Sequence, residues 1–571
     1  MSRFGIGVLA VVLVLVSPVS GHASSIYWDD GDGGSGTILS ATWNDLQTAI
    51  TNAEGGGGGG GRGTVKVEGD LTRSTDDATV GDLEVLTGDV DIRGGYDAAF
   101  STQGAPSKLD VNGKFTGANS GYDANNSFRV MKIDASKTTL DNFEITGGRT
   151  EGSSDASRPA YGAGVYVTRN GNSTVLQNLI VTDNLISTQK YRTGGAGGGV
   201  AVLGGSQTTE LTGVKITHCE VSSNRAMARG GGIYAANTGT SASPIIVEYC
   251  DVTGNSVSGS NYQPNAQGGG IGLGSSDYDN DHYVLIANTK ITGNTAVQGG
   301  GLYNNTFEDE CRLVVVNSLI QGNREKTSSA AGAGGIWGPT GGRTYIVNSN
   351  VVDNIKDGDA TKTGIEARRY MWRGSDGRLV FVNSLIADNN GILVDADPSG
   401  SGAGSAHIDF RNTTADEVIF FQYNQKTPPN ATSPTLAGAL GFPPPGTVAA
   451  HFHSIDAAGA IVQTMEANID GDITTEGNWV DVGLTGLGGG GVYTYVDVNH
   501  DGDYDARLDV IVAGTPPAGE HFVYVTDLLG NPRLAGEIDR GAYEKAGRPV
   551  PEPACLGLLG AALLVRRRRR S

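Results

Sequence analysis

The chain is predicted to be an all-β solenoid, a stack of parallel coils. Two interleaved phrases carry that prediction. The first is a run of glycines, one aliphatic residue and often an aromatic. It reads Gly162–Val165, Gly197–Val200, Gly230–Tyr234, Gly268–Ile271, Gly299–Tyr303 and Gly334–Trp337, with a weaker copy at Gly364–Ile365. Its aliphatic residues recur at steps of 35, 33, 38, 31, 34 and 29. The second phrase is a short β-branched strand, a polar pair and apolar-x-x-Asn. It closes at Asn184, Asn224, Asn255, Asn294, Asn323, Asn354 and Asn389, at steps of 40, 31, 39, 29, 31 and 35. Two phrases sharing one mean period mark a repeat array whose units stack. No helical period separates them, which argues against βαβ units. Equivalent positions recur rather than mirror, which argues against hairpins.

Stacked in register, the aliphatic residues form an inward column. The glycines supply tight corners at positive φ. The closing asparagines are expected in left-handed corners, bonding along the ladder. Each repeat is expected to give two or three short strands. Glycine is 89 of 571 residues, far above the usual ~7%. Its phasing with the strands makes it corner material rather than a sign of disorder.

Residues 1–23 read as an export signal. Arg3 is the charged start, Val8–Val16 the apolar core, and Gly21-His22-Ala23 a small-x-small cleavage site. Residues 24–63 are expected to hold an exposed acidic lead-in and a cap helix. Ala41–Ala53 has apolar residues at 43, 46, 49 and 50, with Thr42 as N-cap and the Gly55–Gly61 run ending the helix. An open solenoid end needs such a cover. Coils are expected over 64–415. The early strands, among them Thr64–Val67, Val90–Arg93 and Leu140–Ile145, are irregularly spaced, as terminal coils are. Over 416–545 the repeat is lost, Pro428, Pro429 and Pro443–Pro445 mark breaks, and strands return at Val492–Val496, Leu508–Val512 and Phe522–Val525. This section is expected to complete or cap the last coils. Residues 546–571 are a linker and tail.

Between the two ends the chain is acidic. The formal net charge is −20, and −26 once residues 1–23 and 566–571 are set aside. Nucleic acid is therefore an unsuitable partner, since phosphates need a basic face. Divalent cations are favoured instead. Asp497, Asn499, Asp501, Asp503 and Asp505, with Gly502 among them, place oxygen ligands as the first half of an EF-hand loop does, and Asp509 follows. The expected glutamate at position 12 is Leu508, and no helices flank the loop. A simpler, structural Ca2+ site is the expectation; an acidic turn is the alternative. Cys219 and Cys250 occupy one slot in consecutive repeats, five residues before the closing Asn. Stacking puts them about 4.8 Å apart, a separation that admits a disulfide. Serine or threonine fills the slot elsewhere (Thr289, Ser318, Ser349, Ser384), so a pair of buried thiols is the alternative. His218 stands where other repeats have a corner Asn and reads as structural.

No catalytic set emerges. Asp277, Asp279, Asp281 and His282 form an acidic knot in a loop. Glu366, Arg368, Arg369 and Arg373 are the densest basic cluster in the array. The two lie about three coils apart, roughly 14 Å along the axis, too far for one site.

Three resemblances follow from these residues. The array resembles a right-handed, single-stranded parallel β-helix of the pectin-lyase-like superfamily, closest in phrasing to bacterial surface proteins. That fold hosts lyases, hydrolases and passive adhesins alike; its hydrolases show Asn-Thr-Asp, Asp-Asp, His-Gly and Arg-x-Lys phrases on successive coils, and no such set appears here, Asp29-Asp30 lying in the lead-in and not on a coil. The pair Asp527–Arg533 and Ile538–Glu544 resembles the end of the choice-of-anchor Q domain, with Arg540 where an aliphatic residue is expected. Pro551-Glu552-Pro553, the apolar Ala554–Val565 and Arg566–Arg570 resemble the PEP-CTERM sorting signal of Gram-negative bacteria. It implies processing by an exosortase-type enzyme and transient membrane association through the tail. The expectation is an exported cell-envelope, surface or matrix protein, non-catalytic and presenting its solenoid to extracellular polysaccharide. The alternative is a polysaccharide lyase or glycoside hydrolase.

Overall fold

A computed structural model describes residues 24–422 apart from 55–60, 74–81, 112–127, 152–159, 188–194, 205–210, 237, 241–242, 259–265, 275–281, 307–311, 327–331, 339–341, 357–363, 368–376, 383, 388, 390–391, 396–405, 412–413 and 416–418. It also describes short stretches between 469 and 542. Three sheets of 11, 13 and 11 strands run the length of the stack, a fourth of 7 strands runs along its middle, and their coil strands pair in parallel. The chain is a parallel β-helix.

Seven coils, from Met131 to Lys356, supply four strands each, not the two or three expected; the coils before and after them show two or three among the described residues. One coil shows the order: Val200–Leu203 in sheet S1, Lys215–Thr217 in S2, Glu220–Ser222 in S3 and Arg225–Ala226 in S4. The extra divisions arise at single left-handed residues. Asn178, His218, Tyr249, Asn288, Asn317 and Asn348 bend the chain between S2 and S3, and Asp183, Ser223, Gly254, Gly293, Gly322 and Asp353 bend it between S3 and S4. One αL residue turns a strand without any glycine-proline signature, so a run such as Leu140–Ile145 splits at Asn142. The last strand in S1 is Ile419–Gln422, seven residues past the expected limit at 415.

The closing asparagines bond along the ladder as expected, but not from left-handed corners. None of them is left-handed; from Asn184 to Asn354 the residue before each one is. Their side chains turn inward. From Asn184 to Asn354 each backbone N–H donates to Oδ1 of the next closing Asn at 2.9–3.1 Å, and each Nδ2 donates to the same oxygen at 2.8–3.1 Å. The second amide hydrogen reaches a strand carbonyl of the preceding coil, as Asn255 does to Val221 at 2.7 Å. A dry amide ladder thus meets the backbone needs of a corner that water cannot reach.

The slot holding Cys219 and Cys250 forms a second ladder. Thr289, Ser318 and Ser349 each donate a hydroxyl to the carbonyl two residues back at 2.7–2.8 Å. Each accepts from the backbone N–H of the slot residue one coil earlier. The cysteines hold weaker versions of the same place: Cys219 Sγ lies 3.2 Å from Thr217 O and Cys250 Sγ 3.1 Å from Glu248 O. Both are thiols in the structure.

The glycine triplets serve two needs. The first glycine takes a positive φ, as at Gly230 (56°). The second and third leave no room for a Cβ: at Gly231 it would lie 2.5 Å from Gly269 O and 2.7 Å from Ser256 O. The following aliphatic residues, Val165, Val200, Ile233, Ile271, Leu302, Ile336 and Ile365, line one continuous core.

The N-terminal end is closed by α1 (Trp43–Glu54), whose Trp43, Leu46, Ala49, Ile50 and Ala53 are buried. Thr42 and Asp45 exchange capping hydrogen bonds. Gln47 acts as a surrogate strand. Its amide donates to Glu84 O and accepts from Glu84 N, satisfying the free edge of Leu83–Val85, the end strand of S1. The expected exposed lead-in is instead a pair of antiparallel strands, Ser25–Asp29 and Ser35–Ile38, that close the edge of S2 against Gly63–Glu68.

Candidate functional site

The outer face of S2 changes character along the stack. One row of outward residues runs Thr139, Val175, Lys215, Ile246, Leu285, Val314, Tyr345, Val380. The first four are half-buried; the last four are buried. The neighbouring row changes from Gln177, Thr217 and Glu248 to Ala287, Val316 and Val347 at the same level. Strands apolar on both faces have protein on both sides.

Part of that cover comes from the far end of the chain. Asn317 Nδ2 donates to the carbonyls of Tyr524 (2.8 Å) and Thr526 (2.9 Å). Ala542 N donates to Asn350 Oδ1 at 2.9 Å. The C-terminal section therefore lies against the flank of the mid-stack coils. The expectation that it completes or caps the last coils missed this, because lateral docking leaves no periodic trace.

A cluster of titratable groups marks the border between the two stretches. Glu248 accepts from Lys215 Nζ at 2.5 Å and Thr217 Oγ1 at 3.3 Å, and its other oxygen accepts from the Tyr524 hydroxyl. His218 Nδ1 lies 2.8 Å from Thr217 Oγ1. The rings of His218 and Tyr249 stack, centroids 4.9 Å apart and planes 14° apart, and both are exposed. Tyr249 meets Tyr524 at 6.2 Å and 50°. Burial, then the Glu248 carboxylate, pushes the Tyr524 phenol well above its ordinary range. The phenol stays protonated and serves as a donor. Both Glu248 oxygens are engaged, so this carboxylate is held as an anchor. Loss of the polar alternation after Glu248 was the one signal in the chain that pointed here.

Other singled-out residues fall elsewhere. Asp497, Asn499, Asp501, Asp503, Asp505 and Asp509 lie outside the described residues, as do Pro551, Glu552, Pro553, Asp277, Asp279, Asp281, Arg368, Arg369 and Arg373. Glu366 is fully buried and accepts from Gly332 N at 2.9 Å. His282 is buried at the start of an S2 strand, where Thr238 meets its Nδ1 and Nε2 has no partner. Burial pushes its pKa down to about 4. His218 fits its structural reading: it holds the left-handed corner at φ 53°. Among the described residues no group of three or more His, Cys, Asp or Glu side chains could hold a metal ion.

No family model matches the chain. No curated protein matches it. A solved structure, the crystal structure of pectate lyase Pel9A, is similar at 13% identity and a TM-score of 0.35, over 83% of this chain and 91% of that one. The fold rests on this chain's own strand pairing.

Proposed function

We propose that the protein is an exported, envelope-associated β-helix that presents its outer faces to extracellular carbohydrate and catalyses nothing. The observation that carries this reading is the use made of Glu248. A lysine, a threonine and a tyrosine converge on this carboxylate, and both its oxygens are spent on them, one holding Lys215 and Thr217 and the other fastening Tyr524 of the C-terminal section. A general acid or base needs a free position facing its substrate. The test is turnover: no unsaturated-uronate absorbance is expected on a panel of acidic polysaccharides, with or without calcium, alongside retention on at least one immobilised glycan. Turnover would replace this reading with that of a polysaccharide lyase.

The export assignment rests on residues 1–23, and one structural fact supports the cleavage point. Ser24 is already part of the fold, its carbonyl accepting from Ala41 N at 2.6 Å. At the other end we assign Pro551-Glu552-Pro553 as the sorting tripeptide read by an exosortase-type enzyme, and residues 416–545 as a choice-of-anchor Q-like region. The intact mass of protein recovered from the cell envelope tests both ends; retention of residues 1–23 or of Arg566–Arg570 would overturn the respective assignment. The loop Asp497–Asp509 is assigned a structural Ca2+. Chelation should lower the melting temperature, and an unchanged melt would count against it. Cys219 and Cys250 are assigned as a pair that oxidises to a disulfide by exchange with a disulfide donor on export, which a non-reducing peptide map tests.

A further inference from the structure

Where the later S2 strands begin, one row runs Tyr283, Arg312, Arg343, and the register continues it to Arg378 and His407. The chain neighbours Val284 and Leu313 belong to the core, so Tyr283 and Arg312 face outward. Three arginines thus stand on consecutive rungs, with Cα atoms about 4.8 Å apart. Arg312 and Arg343 are direct neighbours on the ladder, where like charges repel. The chain has 61 Asp and Glu against 41 Lys and Arg, yet no acidic residue breaks this row.

Elsewhere on the stack, cations stand beside carboxylates. Arg62 reaches Asp89 and Asp91, Arg129 reaches Asp82, Lys215 reaches Glu248 and Lys290 reaches Asp251. Arg312 and Arg343 have no such partner among the described residues. Both are half-buried. The Arg312 guanidinium lies over the Tyr283 ring, its Cζ 5.6 Å from the centroid. Its Nε and Nη1 are sealed from water and donate to nothing, which leaves Nη2 as the open end. A cation that has lost water and gained no partner is weakly screened, so it attracts an anion more strongly than a fully hydrated one does.

We propose that Arg312 and Arg343 form a binding site for the phosphate group of a phosphomonoester. Charge decides between the anions. A phosphomonoester carries about −1.5 to −2 near neutral pH and three acceptor oxygens, enough for two guanidiniums. A uronate carboxylate carries a single charge and leaves one arginine unmatched. The planar guanidinium matches phosphate oxygens in a way that an ammonium does not. Nucleic acid is the poorer fit, since each phosphodiester has one charge and the acidic chain repels a long polyanion. The site goes beyond the carbohydrate-presenting function and does not depend on it.

The test uses the full exported chain in phosphate-free buffer. Mannose 6-phosphate and inorganic phosphate are the probes, with mannose and galacturonate as controls. Isothermal titration should show binding of mannose 6-phosphate, none of mannose, and binding of galacturonate at least tenfold weaker. Arg312→Gln and Arg343→Gln should each weaken phosphate binding at least tenfold. Arg225→Gln, at an exposed arginine on S4, should bind within twofold of the parent. Added phosphate should raise the melting temperature of the parent and leave that of Arg343→Gln unmoved, which separates lost binding from lost folding. Inorganic phosphate as tight as mannose 6-phosphate would assign the site to the phosphate group alone. Mannose 6-phosphate tighter by tenfold would assign it to a phosphorylated sugar, and either result upholds the site. Binding of neither phosphate probe would overturn it, as would galacturonate as tight as mannose 6-phosphate or phosphate binding unchanged in Arg343→Gln. A lower melting temperature for Arg343→Gln before any ligand is added would also overturn it, because the charge of the row would then already be matched within the chain.

Discussion

The outer face of S2 in the first half of the stack and in the second half is the same backbone dressed differently. In the first half its outward row reads Thr139, Val175, Lys215, Ile246, and the chain alternates apolar inside with polar or half-exposed outside. In the second half it reads Leu285, Val314, Tyr345, Val380, all buried. The inward residues of both halves belong to one core. The inward set therefore decides that coils form, and the outward set reports what lies against them. The change falls between Glu248 and Leu285, where Tyr524 is fastened. A β-helix carries its partner information on the outside of its sheets, in the phase that the repeat does not need.

The largest effect should come from a change that ignores this distinction. Gly231→Val puts a Cβ within 2.5–2.7 Å of Gly269 O and Ser256 O, both backbone atoms that cannot move without separating coils. Loss of folding is expected, well beyond the 1–3 kcal/mol typical of overpacking. Recovery of soluble, protease-resistant protein would show that the triplet has more slack than its stacking suggests.

Next comes a matched pair on one row. Val314→Asp places an unpaired carboxylate at a buried position and should cost about 3–5 kcal/mol. Val175→Asp, on the same row in the first half, should stay within about 0.5 kcal/mol. Denaturant midpoints for the two variants measure the comparison directly. Equal costs would mean that the second half of the face is not covered in solution.

How much of this was legible beforehand follows from the distance over which each feature acts. The two phrases and the inward column show at a separation of one coil, so the fold class could be read. The slot at Cys219, Cys250, Thr289 and Ser318 could be read as small and inward, but its hydroxyl ladder depends on carbonyl directions that composition does not carry. The fourfold division of the middle coils was hidden because single left-handed residues, Asn178 or Tyr249, make corners that carry no turn signature. The antiparallel closure by Ser25–Asp29 was hidden because glycine and aspartate near a terminus read as an exposed lead-in. The Glu248–Tyr524 contact spans 276 residues, beyond any local pattern.

His282 extends the comparison to pH. It belongs to the second half, buried and neutral, with its pKa pushed down to about 4 by burial. An unfolded chain takes up a proton at this residue near pH 6.5, while the native protein refuses it until about pH 4. Stability should therefore fall as pH drops through that window, by roughly 3 kcal/mol at its lower end, and level off below it. His282→Gln removes the titrating group and should flatten that part of the profile relative to the parent. Urea unfolding at half-unit steps from pH 7 to 4 measures the difference, and parallel profiles would show that His282 becomes protonated at no cost.

The smallest expected effect is the most local to the border. Tyr524→Phe keeps the ring against Tyr249 and removes one hydrogen bond to Glu248, which retains Lys215 and Thr217. A loss of about 1–2 kcal/mol is expected. It should appear in one half of the molecule only. If the C-terminal section leaves the flank more often, hydrogen exchange should quicken in Tyr283–Ala287 and Arg312–Val316, whose outward side chains lose their cover. Thr139–Asp141 and Val175–Gln177 should exchange as in the parent, because the contacts of the described residues of that section fall on Glu248, Tyr249, Asn317 and Asn350 instead. Equal acceleration in both sets would mean that the hydroxyl supports the whole stack rather than its border. The two halves would then be one cooperative unit whose different outer faces have no bearing on how it opens.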